Sequence, residues 1–235
     1  MAKKSRTPPP PRRPVQAPKA RSEARSPAER RTFLYVALFA ASGLVILGGV
    51  LGFVAFGSSG GGSSTAATGT KRYSENCVEK SYPGLPPRHL QSPDAKVKYD
   101  SFPPSSGPHY QTPAPWNIYD EPIQQTILVH NLEHGGIIIQ YGDVPEDQIS
   151  QLRDFYQSDP NGLVVAPFPQ LGKIFALTAW NAPPYTEGKF KDVDPGKGYV
   201  LRCKAFDEKA FAKFRDERRG KAGERIPVSS LTPGA

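Results

Sequence analysis

The stretch Ile123-Gln-Gln-Thr-Ile-Leu-Val-His-Asn-Leu-Glu-His-Gly-Gly-Ile-Ile-Ile-Gln-Tyr141 contains two successive patterns. In its first half the apolar residues recur at helical spacing and predict a short helix, which Asp120-Glu121-Pro122 would begin with a cap and an early proline. Gly135 suits the left-handed position that follows a helix. The β-branched run Ile137–Tyr141 then predicts a buried strand. A strand over residues 126–129 is the alternative for the first half.

Helical and strand patterns also alternate in the rest of the C-terminal half. Asp143-Val-Pro-Glu146 resembles a capping box, and an apolar face behind it predicts a helix over residues 145–157. Asp207 is predicted to cap a last helix, with Ala210, Phe211 and Phe214 facing the core. Three more strands are predicted, over residues 163–166, 173–180 and 199–204, the last of them with Cys203 pointing inward. This order predicts an α+β fold, a small mixed sheet with helices packed on it.

A proline-rich segment precedes these elements. Ten of the 40 residues from 83 to 122 are proline, and proline neither continues a helix nor donates a hydrogen bond within a central strand. The segment is therefore predicted to form a long irregular arm on the core. Irregular segments of this length in compact domains are often functional.

The basic excess of the chain is confined to its N-terminus. The formal charge of the chain is +8. Residues 1–31 hold ten Lys or Arg and two acidic residues, which account for all of it, and the remaining 20 basic and 20 acidic residues cancel. Because the folded part has no net basic charge, no nucleic-acid partner is expected. Residues 1–32 are interpreted as a disordered, basic, proline-rich cytoplasmic tail.

An apolar segment follows the tail. Residues 33–56 carry no charge over 24 positions, and about 20 apolar residues are enough to cross a bilayer as a helix. The segment is interpreted as an uncleaved transmembrane helix with the basic side in the cytoplasm. Residues 57–72 form a predicted Gly/Ser linker, and residues 73–235 a predicted extracytoplasmic domain. Within the span, Gly48 and Gly52 offer a weak small-residue contact for a homodimer.

Two cysteines, Cys77 and Cys203, lie in the part predicted to be outside the cell. In an oxidising compartment such a pair is most simply a disulfide. Closing a loop of this length would stabilise the domain by about 4–5 kcal/mol in the chain-entropy description. Two separate buried thiols are the alternative.

The four histidines of the chain fall within a short part of it. His130 and His134 share one face if their segment is helical, and His109 and His89 lie just upstream. These four residues are the predicted metal ligands, because neutral imidazole is the commonest protein ligand for transition metals. Glu133 is a candidate ligand, a hydrogen-bond partner of a ligand, or a base for metal-bound water. Histidines that merely hydrogen-bond carbonyls near a helix end are the alternative.

The pattern of His130, Glu133 and His134 also matches the inverted zinc-protease signature. That signature needs a distant glutamate as third ligand, for which nothing distinguishes the candidates Glu187, Glu208 and Glu224. The match covers only five residues, and those enzymes are much larger. Trp116 and Trp180 either line a pocket or anchor the core.

Four separated motifs resemble those of a bacterial family known as domain of unknown function 3105. They are Ser-Gly-Pro-His-Tyr at 106–110, Tyr119-Asp-Glu-Pro122, Leu128-Val-His-Asn-Leu-Glu-His-Gly135 and Ala176-Leu-Thr-Ala-Trp180. The similarity covers about residues 85–220. It implies a membrane anchor followed by this domain, and it implies that the family's histidines correspond to His89, His109, His130 and His134. Because the family has no established activity, the resemblance implies none for this chain.

Three functions follow as hypotheses. The first is a membrane-anchored extracytoplasmic domain that binds a transition metal, zinc or copper(II) being suited to imidazole and carboxylate ligands. The second is an interaction module of the cell envelope with structural histidines. The third is a metal-dependent hydrolase that uses Glu133. The sequence leaves open whether the protein is an enzyme.

Overall fold

The computed structural model describes residues 67–186 and 188–235. The predicted tail at 1–32 and the predicted span at 33–56 lie outside these residues. None of the helices in the described ranges combines the length and the apolar character needed to cross a bilayer.

The described residues form eight strands, three α-helices and two short 3-10 turns. The strands are β1 (Gly69–Arg72), β2 (Cys77–Pro83), β3 (Arg88–Leu90), β4 (Pro108–Tyr110), β5 (Ile137–Tyr141), β6 (Leu163–Pro167), β7 (Phe175–Asn181) and β8 (Lys197–Cys203). The helices are α1 (Gln125–Glu133), α2 (Glu146–Ser158) and α3 (Glu208–Arg218), and the 3-10 turns are Pro169–Leu171 and Val228–Ser230.

Six strands form one mixed sheet in the order β1-β2-β8-β7-β5-β6. Only β5 and β6 run parallel, and every other neighbouring pair in this sheet is antiparallel. The parallel pair is connected through α2, as a parallel connection requires a crossover. Strands β3 and β4 form a separate two-stranded parallel sheet. The predicted α+β fold with a mixed sheet is therefore confirmed.

One face of the large sheet is covered by α2 and α3. Its buried core is apolar and rich in aromatic rings, with Phe155 of α2 and Phe211 and Phe214 of α3 packed on Phe175 and Leu177 of β7. Asp207 caps α3 by accepting a hydrogen bond from the backbone N–H of Ala210. This face is called the aromatic face below.

The opposite face of the sheet is covered by α1 and the proline-rich arm. Leu128 and Leu132 of α1 pack with Trp116 of the arm and Trp180 of β7. The arm lies close to the sheet at Gly198, where a Cβ atom would come within 2.2 Å of the Ser105 hydroxyl oxygen. This face is called the histidine face below, because β3, β4 and α1 bring all four histidines to it.

The predicted helix starts are partly wrong. Helix α1 begins at Gln125 and not at Asp120, because residue 124 still has an extended ψ of 134°. Helix α2 follows Pro145 without a side-chain cap, so the capping box at Asp143 is not formed. The end of α1 is as predicted: Gly135 has a φ of +90°, and its N–H donates to the carbonyl of Leu132.

The predicted disulfide is confirmed. Cys77 and Cys203 face each other in the register of β2 and β8, and they are bonded. Both are buried on the aromatic face.

Strands β1 to β4 were not predicted, and β1 occupies the last four residues of the segment predicted as a linker. Each of these strands except β2 has only three or four residues, too few to show an alternating pattern.

Candidate metal centre

The two upstream histidines come from paired strands. His89 of β3 lies opposite His109 of β4 in a parallel register, so their side chains lie next to each other. The two ring centroids are 5.2 Å apart. The arm therefore delivers two imidazoles from sites far apart in sequence to one place on the histidine face.

Helix α1 supplies the other side of the cluster. His130 and Glu133 are three residues apart, a spacing that places both side chains on one helical face. The helix is held on the arm by Asn131, whose side chain accepts from the N–H of Ala114 and donates to its carbonyl. The ring centroid of His130 lies 4.9 Å from that of His109.

These elements bring together four potential ligand atoms, all within 4.8 Å of one another, from His89, His109, His130 and Glu133. The side chains of His109 and Glu133 are fully buried, and that of His89 is 25 % exposed. Ligands bound tetrahedrally to one ion at about 2.1 Å lie roughly 3.4 Å apart. The widest separation in the cluster thus exceeds this spacing by up to about 1.4 Å, whereas His109 and Glu133 are closer than it, so binding would require side-chain movements of about this size.

Backbone carbonyls fix the ring orientation of two of these histidines. The Nδ1 atoms of His109 and His130 each lie 2.7 Å from a carbonyl oxygen, that of Gly107 and that of Tyr110 respectively. A carbonyl only accepts hydrogen bonds, so each Nδ1 carries the proton. In the neutral ring Nε2 then has a free lone pair, which is the tautomer that a metal ligand needs.

The inward-facing atoms of the cluster lack donors. Within the part of the chain that the structure describes, Nε2 of His89, Nε2 of His109 and Oε2 of Glu133 are buried and have no hydrogen-bond partner. Nε2 of His109 nevertheless lies 2.8 Å from Oε2 of Glu133. Because both atoms present lone pairs in the neutral-ring state, an added positive charge between them, either a metal ion or a proton, is required to make this approach favourable.

Burial and neighbouring charges set the protonation of the cluster. Burial, together with the nearby imidazoles of His134 and His109, lowers the pKa of His130 to about 4, so its ring is neutral at neutral pH. Burial alone would raise the pKa of Glu133, but the contacts with His109 and Tyr185 outweigh it and the pKa is lowered. A neutral imidazole beside an ionised carboxylate is the state that binds a cation.

Aromatic residues of the loop between β7 and β8 cover the cluster. The hydroxyl of Tyr185 donates to Oε1 of Glu133 at 2.7 Å, and burial and this carboxylate raise the pKa of Tyr185, so the hydroxyl keeps its proton. Phe190 packs edge-on against His89 at 5.0 Å between ring centroids. Trp180 of β7 contacts His109 edge-on, with 6.2 Å between ring centroids, and donates its N–H to the carbonyl of Pro195.

His134 lies beside the cluster of four. It is the C-cap residue of α1, one position beyond Glu133. Its Nε2 is 3.0 Å from Nε2 of His130 and 3.1 Å from Oε2 of Glu224. The side chain of Glu224 is 4 % exposed. Of the candidate distant glutamates, Glu224 approaches these histidines, whereas Glu208 lies at the start of α3. Glu187 is outside the described residues.

The structure thus assembles three of the four predicted histidines with Glu133, and it places the fourth next to them. Both His134 and Glu133 satisfy the helical spacing from His130, so the sequence pattern could not distinguish them. Glu224 was one of three candidate distant glutamates and nothing in the sequence singled it out, while Tyr185 was not predicted as a partner of the cluster.

The fold and this cluster define an α+β domain with a buried group of three imidazoles and one carboxylate. The chain belongs to the family described as Protein of unknown function (DUF3105), whose model matches residues 90–228. The resemblance drawn from the motifs is confirmed by this match. His109, His130 and His134 lie inside the matched region, and His89 directly precedes it. No curated protein matches the chain, and neither does any solved structure.

Proposed function

We propose that this protein is a membrane-anchored, extracytoplasmic domain that binds a transition-metal ion through His89, His109, His130 and Glu133. One observation carries the proposal: Nε2 of His109 and Oε2 of Glu133 lie 2.8 Å apart in a buried position, and both are acceptors when the His109 ring is neutral. Unpaired buried acceptors cost free energy, and a bound cation would remove that cost.

The ligand set favours particular metals. Three nitrogen atoms and one carboxylate oxygen suit zinc or copper(II), and the chain offers no soft ligand, since its cysteines form a disulfide and Met1 is its only methionine. Glu133 is better suited to ligation than to base catalysis. Both its oxygen atoms are already engaged, Oε1 by the hydroxyl of Tyr185 at 2.7 Å and Oε2 by Nε2 of His109 at 2.8 Å.

The sequence and the disulfide support the cellular location. The uncharged 24-residue segment at 33–56 is long enough to span a bilayer. The bond between Cys77 and Cys203 fits an oxidising compartment. With the basic tail in the cytoplasm, the metal cluster would be on the outer side.

Elemental analysis of the full-length chain tests the proposal. The chain is purified in detergent without a polyhistidine tag, loaded with zinc or copper(II) and dialysed against metal-free buffer. We expect at least one ion per chain, and less than a tenth of that in His109→Asn or Glu133→Gln. Glu79→Gln is the matched control, because Glu79 is an equally buried carboxylate on the aromatic face. Full metal content in both cluster variants would overturn the proposal and favour structural histidines.

A further inference from the structure

We propose that one exposed surface of the domain docks on the headgroups of an anionic lipid bilayer. This surface, called the basic patch below, consists of Arg72, Lys96, Lys98, Phe102 and Arg202. The inference rests on the membrane anchor of the proposed function, and it adds which side of the domain contacts the lipid.

Phe102 is the apolar centre of the basic patch. It is 43 % exposed, and no other large hydrophobic residue within residues 67–186 and 188–235 is exposed. Its ring lies 5.3 Å from that of Phe168 and 5.8 Å from the guanidinium carbon of Arg202, which also donates a hydrogen bond to the Phe102 carbonyl. These contacts hold the ring at the surface. An aromatic ring beside cations is typical of segments that lie in the membrane interface.

Cations surround this ring. Lys96, Lys98 and Arg202 are exposed and line the same groove as Phe102. In the register of β1, β2 and β8, Arg72 lies opposite Val78, and Val78 lies opposite Arg202. Opposite residues of neighbouring strands point to the same face, and two strand spacings are about 10 Å. The two arginines therefore belong to one surface.

The carboxylates in this part of the surface are fewer than the cations. Glu75, Asp94 and Asp100 line this groove or the neighbouring cavity that Arg72 and Arg202 share, and Lys204 of that cavity adds a fifth cation. Burial raises the pKa of Asp100, which weakens its negative charge further. The basic patch is thus positive, although basic and acidic residues balance in the chain after the N-terminal tail.

The chain enters the domain next to the basic patch. Strand β1 begins at Gly69, and Arg72 follows three residues later, about 10 Å away. Only residues 57–68 separate β1 from the apolar segment that ends at residue 56, and twelve residues span at most about 40 Å. A domain tethered so closely meets the bilayer at a high effective concentration. The positive charge of the basic patch complements anionic headgroups.

Fluorescence quenching by labelled lipid tests this contact. The full-length chain with Phe102→Trp is reconstituted into nanodiscs of phosphatidylcholine and phosphatidylglycerol that carry bromine on their acyl chains. Trp116 and Trp180 are buried, so the wild type gives the background. An aromatic ring about 5–10 Å deep in the interface lies near the bromine atoms, and we expect roughly a twofold loss of the introduced emission. The matched control is Gln151→Trp, at an exposed position of α2, which should keep its emission.

Charge reversal tests the electrostatic part of the contact. Lys96→Glu together with Lys98→Glu, in the chain that carries Phe102→Trp, should abolish the quenching, because each cation near an anionic surface adds to the attraction. Nanodiscs of phosphatidylcholine alone should have the same effect. Lys209→Glu together with Lys213→Glu is the matched control, since both lysines are exposed on α3. Quenching that survives both the charge reversal and the neutral lipid would contradict docking on anionic headgroups.

The outcomes separate this inference from the proposed function. A chain that enters the nanodiscs but shows no quenching at position 102 overturns the docking and leaves the anchor. A blue-shifted emission without quenching also overturns it, because a protein, such as a second copy of the chain, would then cover the ring. A chain that does not enter the nanodiscs overturns both the anchor and the docking. Metal content is measured separately and does not depend on these results.

Discussion

The two faces of the six-stranded sheet bury polar groups in opposite ways. On the aromatic face the carboxylate of Glu79 is fully paired, because Arg218 donates to both of its oxygen atoms and Tyr73 donates to one of them. On the histidine face the carboxylate of Glu133 accepts from Tyr185 on one oxygen, while the other lies 2.8 Å from Nε2 of His109, which has a proton to donate only in the protonated ring. The Glu79 carboxylate is thus neutralised by Arg218 within the chain, whereas Glu133 contacts no Lys or Arg among the described residues.

The two faces therefore contribute to different properties, the aromatic face to folding stability and the histidine face to cation binding. The aromatic face buries apolar rings and the disulfide, which need nothing further to be stable. The histidine face buries several hydrogen-bond acceptors close together and away from water. This arrangement costs free energy unless a cation or protons are bound. Substitutions in the core of the aromatic face should therefore lower the free energy of unfolding, whereas substitutions in the metal cluster should lower metal binding.

The largest expected effect on stability is on the aromatic face. Phe211 is fully buried in α3 among the rings of Phe155, Phe175 and Phe206, and truncation of such a residue costs about 3–5 kcal/mol. Phe211→Ala should lower the free energy of unfolding by this amount in a denaturant titration. The folded variant should bind as much metal as the wild type. A large drop in metal content at unchanged stability would contradict the division between the faces.

The next effect is a pH dependence on the histidine face. The folded state holds the pKa of His130 at about 4, below its ordinary 6.5, so the unfolded chain binds more protons between these two pH values. With a chelator present, stability should be greatest above pH 6.5 and fall as the pH drops to 4, by a total on the order of 3 kcal/mol from this group.

A variant isolates the contribution of His130 to this pH dependence. His130→Gln removes the titrating ring, so its unfolding free energy should decline less steeply between pH 6.5 and 4 than that of the wild type. Parallel declines in the two proteins would show that His130 is not held neutral by the fold.

The smallest effect expected is at Tyr185. Its hydroxyl orients Glu133 through one hydrogen bond, and removing such a partner of a metal ligand typically weakens metal binding about 10-fold or more. Tyr185→Phe should raise the dissociation constant for zinc by about this factor. Tyr73→Phe is the matched control, since it removes a tyrosine–carboxylate bond from the aromatic face. Equal zinc affinities in both variants and the wild type would show that Glu133 does not need Tyr185.

The sequence predicted the elements that depend on local patterns. The end of α1, the strand Ile137–Tyr141 and the cap of α3 at Asp207 all follow from neighbouring residues, and the structure has them. The disulfide between Cys77 and Cys203 was also predictable, because the expectation rests on an oxidising compartment and not on where the two residues lie in the fold. The predicted cytoplasmic tail and membrane span remain predictions.

The cluster itself depended on contacts between residues far apart in sequence. The pairing of His89 with His109 needs two three-residue strands in register, and neither has a pattern of its own. Both Glu133 and His134 satisfy the helical spacing from His130, so the spacing alone did not decide which of them joins the cluster. Tyr185 approaches from the loop between β7 and β8, and Glu224 from the segment after α3, where sequence periodicity carries no information.

Anomalous diffraction from crystals of the zinc-loaded protein tests the central claim most directly. We expect a zinc peak about 2.1 Å from Nε2 of His109, with the imidazoles of His89 and His130 and the carboxylate of Glu133 as further ligands. The contradicting result is a map without a zinc peak among these atoms, with a protonated His109 paired directly to Glu133.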